Sequence, residues 1–230
     1  MATSNHNSTP TRAFRFERDM LQSVRETLPS KLGFDSLNLG FILCEPTVGN
    51  MIPDVVLARA TENLILPKKP FSLVEAHILA LIEEHRELSE LEVLAYLYLT
   101  ESGARRAFAG LRKSGLIQKT DTGKMAVDSS AFTRAVEIIA IELKLRRWRE
   151  ALTQARTYLK FADRAYVVLD GNQVQPDSAM EEEFRSVSVG LFLHRGFWLE
   201  KIIEAPRTKP ITPERIQAIQ KLFQSSVSDS

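Results

Sequence analysis

Between residues 135 and 143 the chain reads Ala-Val-Glu-Ile-Ile-Ala-Ile-Glu-Leu, an apolar run interrupted only by Glu137 and Glu142. A continuous stretch of this kind reads as a strand covered on both faces, which requires a sheet with layers packed above and below it. The glutamates are then the informative residues, because a carboxylate inside such a layer is costly unless it is paired or bound to a metal. Side chains alternate along a strand, so Glu142 and Lys144 project to one face and Leu143 to the other.

The flanking sequence supplies the layers. A helix is expected over residues 11–27, with Phe16, Met20, Leu21 and Val24 on its apolar face and Pro29 and Gly33 as its stop. Strands are expected over 41–44 and 52–58, joined through Thr47-Val48-Gly49-Asn50, with Pro53 at the start of the second and Asp54 beside it. After the apolar run come a helix over 148–161, strands over 165–169, 187–193 and 198–204, and a polar helix over 178–184 between the first two. A last helix opens with Thr212-Pro213-Glu214 and runs to about Phe223. These elements predict an α/β fold with a mixed central sheet.

Residues 68–130 differ in texture. Ser72 with Glu75 and Ser89 with Glu92 form capping-box pairs, so helices should begin near Leu73 and Glu90. Thr100 caps a third helix that Gly115 closes, and two short apolar runs around Thr120-Asp121-Thr122-Gly123 read as a hairpin. Three short helices followed by a hairpin, with Leu111-Arg112-Lys113-Ser114-Gly115-Leu116-Ile117 at the junction, resemble a winged helix-turn-helix inserted into the main fold. Residues 1–11 and 225–230 are expected to be disordered, leaving 12–67 and 131–224 as the two parts of the core.

Composition excludes several classes. With 30 basic and 29 acidic residues the formal charge is +1, so nucleic-acid affinity has to come from local patches. A single cysteine, Cys44, excludes an internal disulfide framework and a zinc cluster of several thiolates; it fits a reducing, cytoplasmic setting and is expected to be a small buried residue. No apolar run is long enough to span a bilayer, and residues 1–10 lack the apolar core of a signal peptide.

The chemistry centres on Glu142-Leu143-Lys144. A neighbouring strand carrying Asp54 would bring a second carboxylate to the same cavity. Two hard oxygen donors, with the Leu143 carbonyl as a third, suit Mg²⁺ or Mn²⁺, ions that take few protein ligands and complete their shells with water and phosphate. Lys144 would orient the attacking water or stabilise charge on the phosphate. On the next helix Gln154 and Tyr158 are neighbours four residues apart, and Arg149, Thr153, Arg156 and Lys160 form a separate stripe.

In that order, Pro53-Asp54, Glu142-Leu143-Lys144 and Gln154-Ala155-Arg156-Thr157-Tyr158 resemble the PD-(D/E)xK nuclease superfamily, in the branch with a Q-x-x-x-Y motif. The resemblance implies a restriction-endonuclease-like αβββαβ core, a divalent-metal site at Asp54, Glu142 and Leu143, catalytic roles for Lys144, Gln154 and Tyr158, and hydrolysis of phosphodiester bonds. It covers most of the chain outside the insert. The family often adds an acidic residue from its first helix, for which Glu17 and Glu26 compete, with Glu45 as a third candidate.

Plainer readings stand beside these. Asp54, Glu142 and Lys144 can be a structural ion-pair network, Gln154 and Tyr158 internal hydrogen-bonding groups, Trp148 a core residue, and the Arg149, Arg156 and Lys160 stripe either a solvated face or a phosphate track. Arg105, Arg106, Arg112, Lys113, Lys119 and Lys124 concentrate charge on the third helix and wing, which suits DNA or, alternatively, a protein partner. His77, His85 and His194 read as structural or exposed. The leading expectation is a Mg²⁺-dependent nuclease acting on DNA, with RNA and a homodimeric state left open and no membrane role. Its rival is a DNA-binding or assembly protein that keeps a nuclease-like core without turnover.

Overall fold

The computed structural model describes residues 13–34, 40–60, 69–128 and 136–228. The apolar run forms β6 (Val136–Lys144), and every residue of it is buried. It pairs antiparallel with β2 (Val55–Ala60) on one side and parallel with β7 (Arg164–Asp170) on the other. With β1 (Gly40–Cys44), β8 (Gly190–Arg195) and β9 (Trp198–Ile203) the sheet has six strands in the order β1-β2-β6-β7-β8-β9, parallel at β6-β7-β8 and antiparallel elsewhere. The molecule is thus an α/β fold around a mixed central sheet. Its element order begins α1, β1, β2 and, after the intervening segment, continues β6, α5, β7.

The two faces of β6 are covered by different helices. Ile139, Ile141 and Leu143 lie in one core with Met20, Val24 and Leu28 of α1 (Glu17–Lys31). Ile138 and Ala140 lie in the other with Ala151, Ala155 and Tyr158 of α5 (Trp148–Tyr158). Burying each large side chain of α1 contributes about 1.5–3 kcal/mol, so this stripe is a main hold of the helix on the sheet.

Helix α1 begins later and ends later than its pattern predicts. Asp19 accepts from the Phe16 N–H at 3.1 Å and closes the first turn there; Thr11 lies outside the described residues. Pro29 stands inside the helix instead of stopping it, at the loss of the one hydrogen bond its N–H would have given to the Arg25 carbonyl. Gly33, at φ 72°, makes the actual stop, with Phe34 N donating to Pro29 O at 2.8 Å and Gly33 N to Ser30 O at 3.3 Å.

Other boundaries also move. Strand β2 starts at Val55, not at residue 52, because Met51 and Val48 close a tight turn on themselves with bonds of 2.8 and 2.9 Å. Strand β8 starts at Gly190, since residues 187–189 finish α6 (Ser178–Ser186), and the Tyr166 ring comes within 2.3 Å of where a Cβ at Gly190 would stand. Helix α5 ends at Tyr158, and α7 (Pro213–Ser228) carries helical backbone past Phe223 into the stretch expected to fray. Residues 1–11 lie outside the described ones, as do the expected segment edges at residue 68 and at 129–135.

Between β2 and β6 lie α2 (Leu73–His85), α3 (Glu90–Leu97) and α4 (Glu101–Lys113), with a three-stranded antiparallel sheet of β3 (Glu87–Leu88), β4 (Ile117–Lys119) and β5 (Met125–Val127) in the order β3-β5-β4. Both capping boxes form: Glu75 N and Glu92 N each donate to their serine hydroxyl at 3.2 Å, and each glutamate accepts from its serine N–H at 2.7 Å. The two-residue β3 has no sequence signal, being too short to show a period. This segment is not freestanding. Ile78 and Ile82 of α2 share one core with Ile216 and Ile219 of α7, and buried Gln220 accepts from Phe71 N at 2.6 Å and donates to Lys69 O at 2.8 Å.

Candidate active site

Antiparallel register pairs Val55 with Ile141, so Asp54, one residue before β2, comes to lie beside Glu142 on the α5 face. Its Oδ2 accepts from Leu143 N at 2.6 Å, extending the ladder by a side chain where the backbone has stopped. Its other oxygen carries no hydrogen bond among the described residues. An N–H and C=O of one residue point to the same side of a strand, so the Leu143 carbonyl also faces Asp54.

Glu142 is 2% exposed and both its oxygens are engaged. Lys144 Nζ donates to Oε1 at 2.7 Å, and Tyr158 OH donates to Oε2 at 2.6 Å. Tyr158 reaches β6 because α5 crosses that face immediately after the strand. Gln154, one turn earlier, does not touch the carboxylates, and its Oε1 is buried without a partner among the described residues.

The electrostatics follow from burial. Loss of water and the neighbouring Glu142 charge push Asp54 up to about 6, against the opposing pull of the Leu143 N–H and Lys144. Burial works against the charge on Lys144, but its bond to Glu142 and the charges of Glu142, Glu17 and Asp54 outweigh that, holding it above the usual lysine range. It is therefore an ammonium at any working pH, able to donate to water or phosphate and unable to act as a base. Burial, then the contact with Glu142, holds Tyr158 well above the ordinary tyrosine range, so its hydroxyl keeps its proton.

Of the three candidate acids, the fold brings Glu17 to the site. Its Oε2 lies 3.8 Å from Lys144 Nζ at the first turn of α1. Glu26 is exposed and bonded to Gln22, and Glu45 is exposed, although its N–H donates to Asp54 O at 3.0 Å.

Glu137 shows what a purely structural buried glutamate looks like on the same strand. Arg59 Nε donates to it at 2.8 Å and Arg164 at 3.0 Å, and Arg164 also bridges Glu204 at 3.4 Å, so two guanidiniums balance two carboxylates. At the other end of β6 the charges do not balance, with Asp54 and Glu142 sharing one ammonium. Asp163 is likewise satisfied by Arg215 at 3.1 Å and by Ile138 N at 2.8 Å.

The expected nucleic-acid contacts divide by pairing. Arg105 is bridged to Glu101 at 2.5 Å, Arg112 to Glu90, and Lys124 to Glu87 at 4.0 Å. Arg149 lies 4.1 Å over the Trp148 ring and 3.3 Å from Glu183, and half-buried Trp148 packs on the core. Arg106, Lys113, Lys119, Arg156 and Lys160 have no carboxylate partner among the described residues. Cys44 is exposed, contrary to the burial expected of it, because it stands at the end of an edge strand.

Sequence reasoning missed two features. His194 is fully buried on β8, bonded through Nε2 to Ser23 of α1 at 2.7 Å, beside an Asp170 that accepts from Phe14 N at 2.9 Å. This cluster fastens the start of α1 to the C-terminal ends of β7 and β8, and thereby sets Glu17 in place. The second is a cavity between the β1–β2 turn and α5, lined by Met51, Ile52 and Tyr158 among others, for which a sequence carries no signal.

As metal donors, Asp54, Glu142 and the Leu143 carbonyl are all hard oxygens. Among the described residues no group of three or more His, Cys, Asp or Glu side chains forms a metal cage. Two carboxylates with one uncompensated negative charge are the donor set that suits Mg²⁺ or Mn²⁺, whose remaining positions go to water and phosphate. Among the described residues no helix is long and apolar enough to cross a membrane.

No protein-family model and no curated protein matches the chain. A solved structure of a protein of unknown function from Silicibacter pomeroyi superposes with a TM-score of 0.41 at 14% identity, over 97% of this chain and 90% of that one.

Proposed function

We propose that the protein is a divalent-metal-dependent nuclease that hydrolyses phosphodiester bonds in DNA, built on a restriction-endonuclease-like core. The observation that carries this reading is the excess of acid at one end of β6: half-buried Asp54 beside buried Glu142, with Lys144 and Tyr158 on Glu142 and Glu17 at the margin. A network serving stability alone would be expected to balance its charges, as Glu137 and Glu204 do with Arg59 and Arg164.

Asp54, Glu142 and the Leu143 carbonyl would hold the ion, which when bound supplies Lewis acidity and offsets charge on the phosphate oxygens. Tyr158 fixes the Glu142 carboxylate through Oε2. Lys144, held as an ammonium, donates toward the attacking water or the phosphate. Water then forms its bond to phosphorus in line with the leaving oxygen, and the cut chain ends in a phosphomonoester and a hydroxyl.

The segment from α2 to β5 resembles a winged helix, with α4 in the groove-reading position and the β4–β5 hairpin as its wing. Unpaired Arg106 and Lys113 on α4 and Lys119 on β4 favour DNA as what it docks on. The rival reading, an assembly protein without turnover, gains some support from the pairing of Arg105, Arg112 and Lys124 with glutamates.

The test is incubation of the purified 230-residue chain with labelled single- and double-stranded DNA and RNA, in Mg²⁺, in Mn²⁺ and in chelator. Metal-dependent cleavage lost in Asp54→Ala and Glu142→Ala is the expected result. Absence of cleavage on every substrate, or cleavage that both variants retain, would overturn the reading.

A further inference from the structure

Strands β6, β7 and β8 run parallel, so their C-terminal ends share one edge of the sheet, and Glu142 and Lys144 lie at that edge. Register carries Lys144 across to Leu169, Leu193 and Glu200 in one row. Side chains alternate along a strand, so Trp198, two positions before Glu200, is on the same face of the sheet as Lys144. With strands about 4.8 Å apart, three spacings put the β8–β9 hairpin roughly 14 Å across the sheet from Lys144.

The tip of that hairpin displays two aromatic side chains to solvent, Phe197 at 86% exposure and Trp198 at 53%. Its backbone is pinned. Gly196 takes φ 71°, Phe197 N donates to Arg195 O at 2.9 Å, and the Arg195 guanidinium donates to Gly171 O at 2.8 Å and to Glu200 at 2.7 Å. Rings held on a fixed turn lose little freedom when something stacks on them.

Cations occupy the edge between the hairpin and the carboxylates. Exposed Arg146 follows β6 and donates to the neutral amide of Gln173, which in turn donates to Phe14 O at 3.2 Å and so sets the start of α1 along the same edge. There the exposed Phe16 ring lies 5.1 Å from the guanidinium of Arg15 and 4.8 Å from that of Arg18. Among the described residues Arg15 and Arg146 have no carboxylate partner, and Arg18 has only the exposed Asp19 at 3.9 Å. Rings and free cations in succession are what binds a single strand of nucleic acid: rings stack on base faces, which a duplex hides, and cations follow the phosphates.

We infer that this edge is a track for single-stranded DNA, in which Phe197 and Trp198 stack on bases while Arg15, Arg18 and Arg146 meet the phosphates between the hairpin and the carboxylates. At roughly 3.4 Å per stacked nucleotide, the span holds about four nucleotides. This inference rests on the nuclease reading and adds to it the form of the substrate at the cut. Duplex affinity belongs to α4 on the same reading, so a duplex of equal length is the control.

Binding of a deoxythymidine oligomer of roughly 12 nucleotides and of the duplex control to the 230-residue chain is measured by fluorescence anisotropy in chelator, where no cutting occurs. Phe197→Ala is expected to weaken single-strand binding about tenfold and to leave duplex binding unchanged, whereas Phe197→Tyr, which keeps a ring, should bind as the native chain does. An unchanged melting temperature of Phe197→Ala shows that the fold is intact. The chain has two tryptophans, and the single strand should quench the intrinsic fluorescence of the native protein but not that of Trp198→Phe. Native single-strand affinity in Phe197→Ala, equal loss on the duplex, a quench that persists in Trp198→Phe, or no single-strand binding at all overturns the inference. Failure of the nuclease reading is separate: it appears as absence of cleavage when Mg²⁺ is added, whatever the tip binds.

Discussion

Asp54 is held near pH 6 by burial and by Glu142, and that has a consequence for stability that can be signed. A carboxyl whose folded pKa is raised binds its proton more tightly in the native state than in the unfolded one. Between its ordinary 3.8 and about 6, native protein therefore carries more protons, and stability falls as pH climbs through that window, then levels off. The shift corresponds to about 2–3 kcal/mol of lost stability at neutral pH in the absence of metal. Asp54→Asn, which can still accept from Leu143 N, should be more stable than the native chain by about that amount in chelator near neutral pH, and the gain should vanish toward the acid side. Denaturant unfolding across the window checks this; a variant no more stable than the native chain at neutral pH would show that the site carries no stored charge repulsion.

At the scale of elements, what could be read in advance was set by short-range rules. The alternation in Glu142-Leu143-Lys144 put acid and base on one face with no need of tertiary information, and the capping serines placed the starts of α2 and α3 to the residue. The choice among Glu17, Glu26 and Glu45 was not legible, because it depends on how Asp170 and His194 fasten the start of α1 across the strand ends. Pro29 misled because a proline forfeits its own bond to the preceding turn without barring the helix from continuing, and the Gly33 turn two residues beyond α1 decided the stop. The charge on α4 was legible as a count but not as a pattern of pairing. Arg106→Ala combined with Lys113→Ala and Lys119→Ala is expected to reduce the log–log salt slope of DNA binding by roughly 2–3, following about 0.9 per phosphate contact. Arg105→Ala, whose guanidinium Glu101 already holds, should change it far less. Equal effects from the two variants, read from a salt series, would contradict the assignment.

Taken whole, the molecule joins two parts through one core. Gln220 and the packing of α2 on α7 tie the segment from α2 to β5 to the central sheet, so that segment has a fixed position relative to β6 instead of a free tether. The long separation in sequence between Asp54 and Glu142 is thus bridged by a folded unit, while β2 and β6 remain direct neighbours. On the proposed function these two carboxylates form a metal centre and not a structural ion pair. The most direct measurement is Mn²⁺ binding followed by loss of the free-ion electron paramagnetic resonance signal, in the native chain, Asp54→Asn and Glu142→Gln at neutral pH. Stoichiometric binding by the native protein and at least a tenfold loss of affinity in each variant are expected, with Asp54→Asn folded and more stable. A native chain that leaves the Mn²⁺ signal unchanged, or variants that bind as tightly as the native chain, would contradict the metal centre.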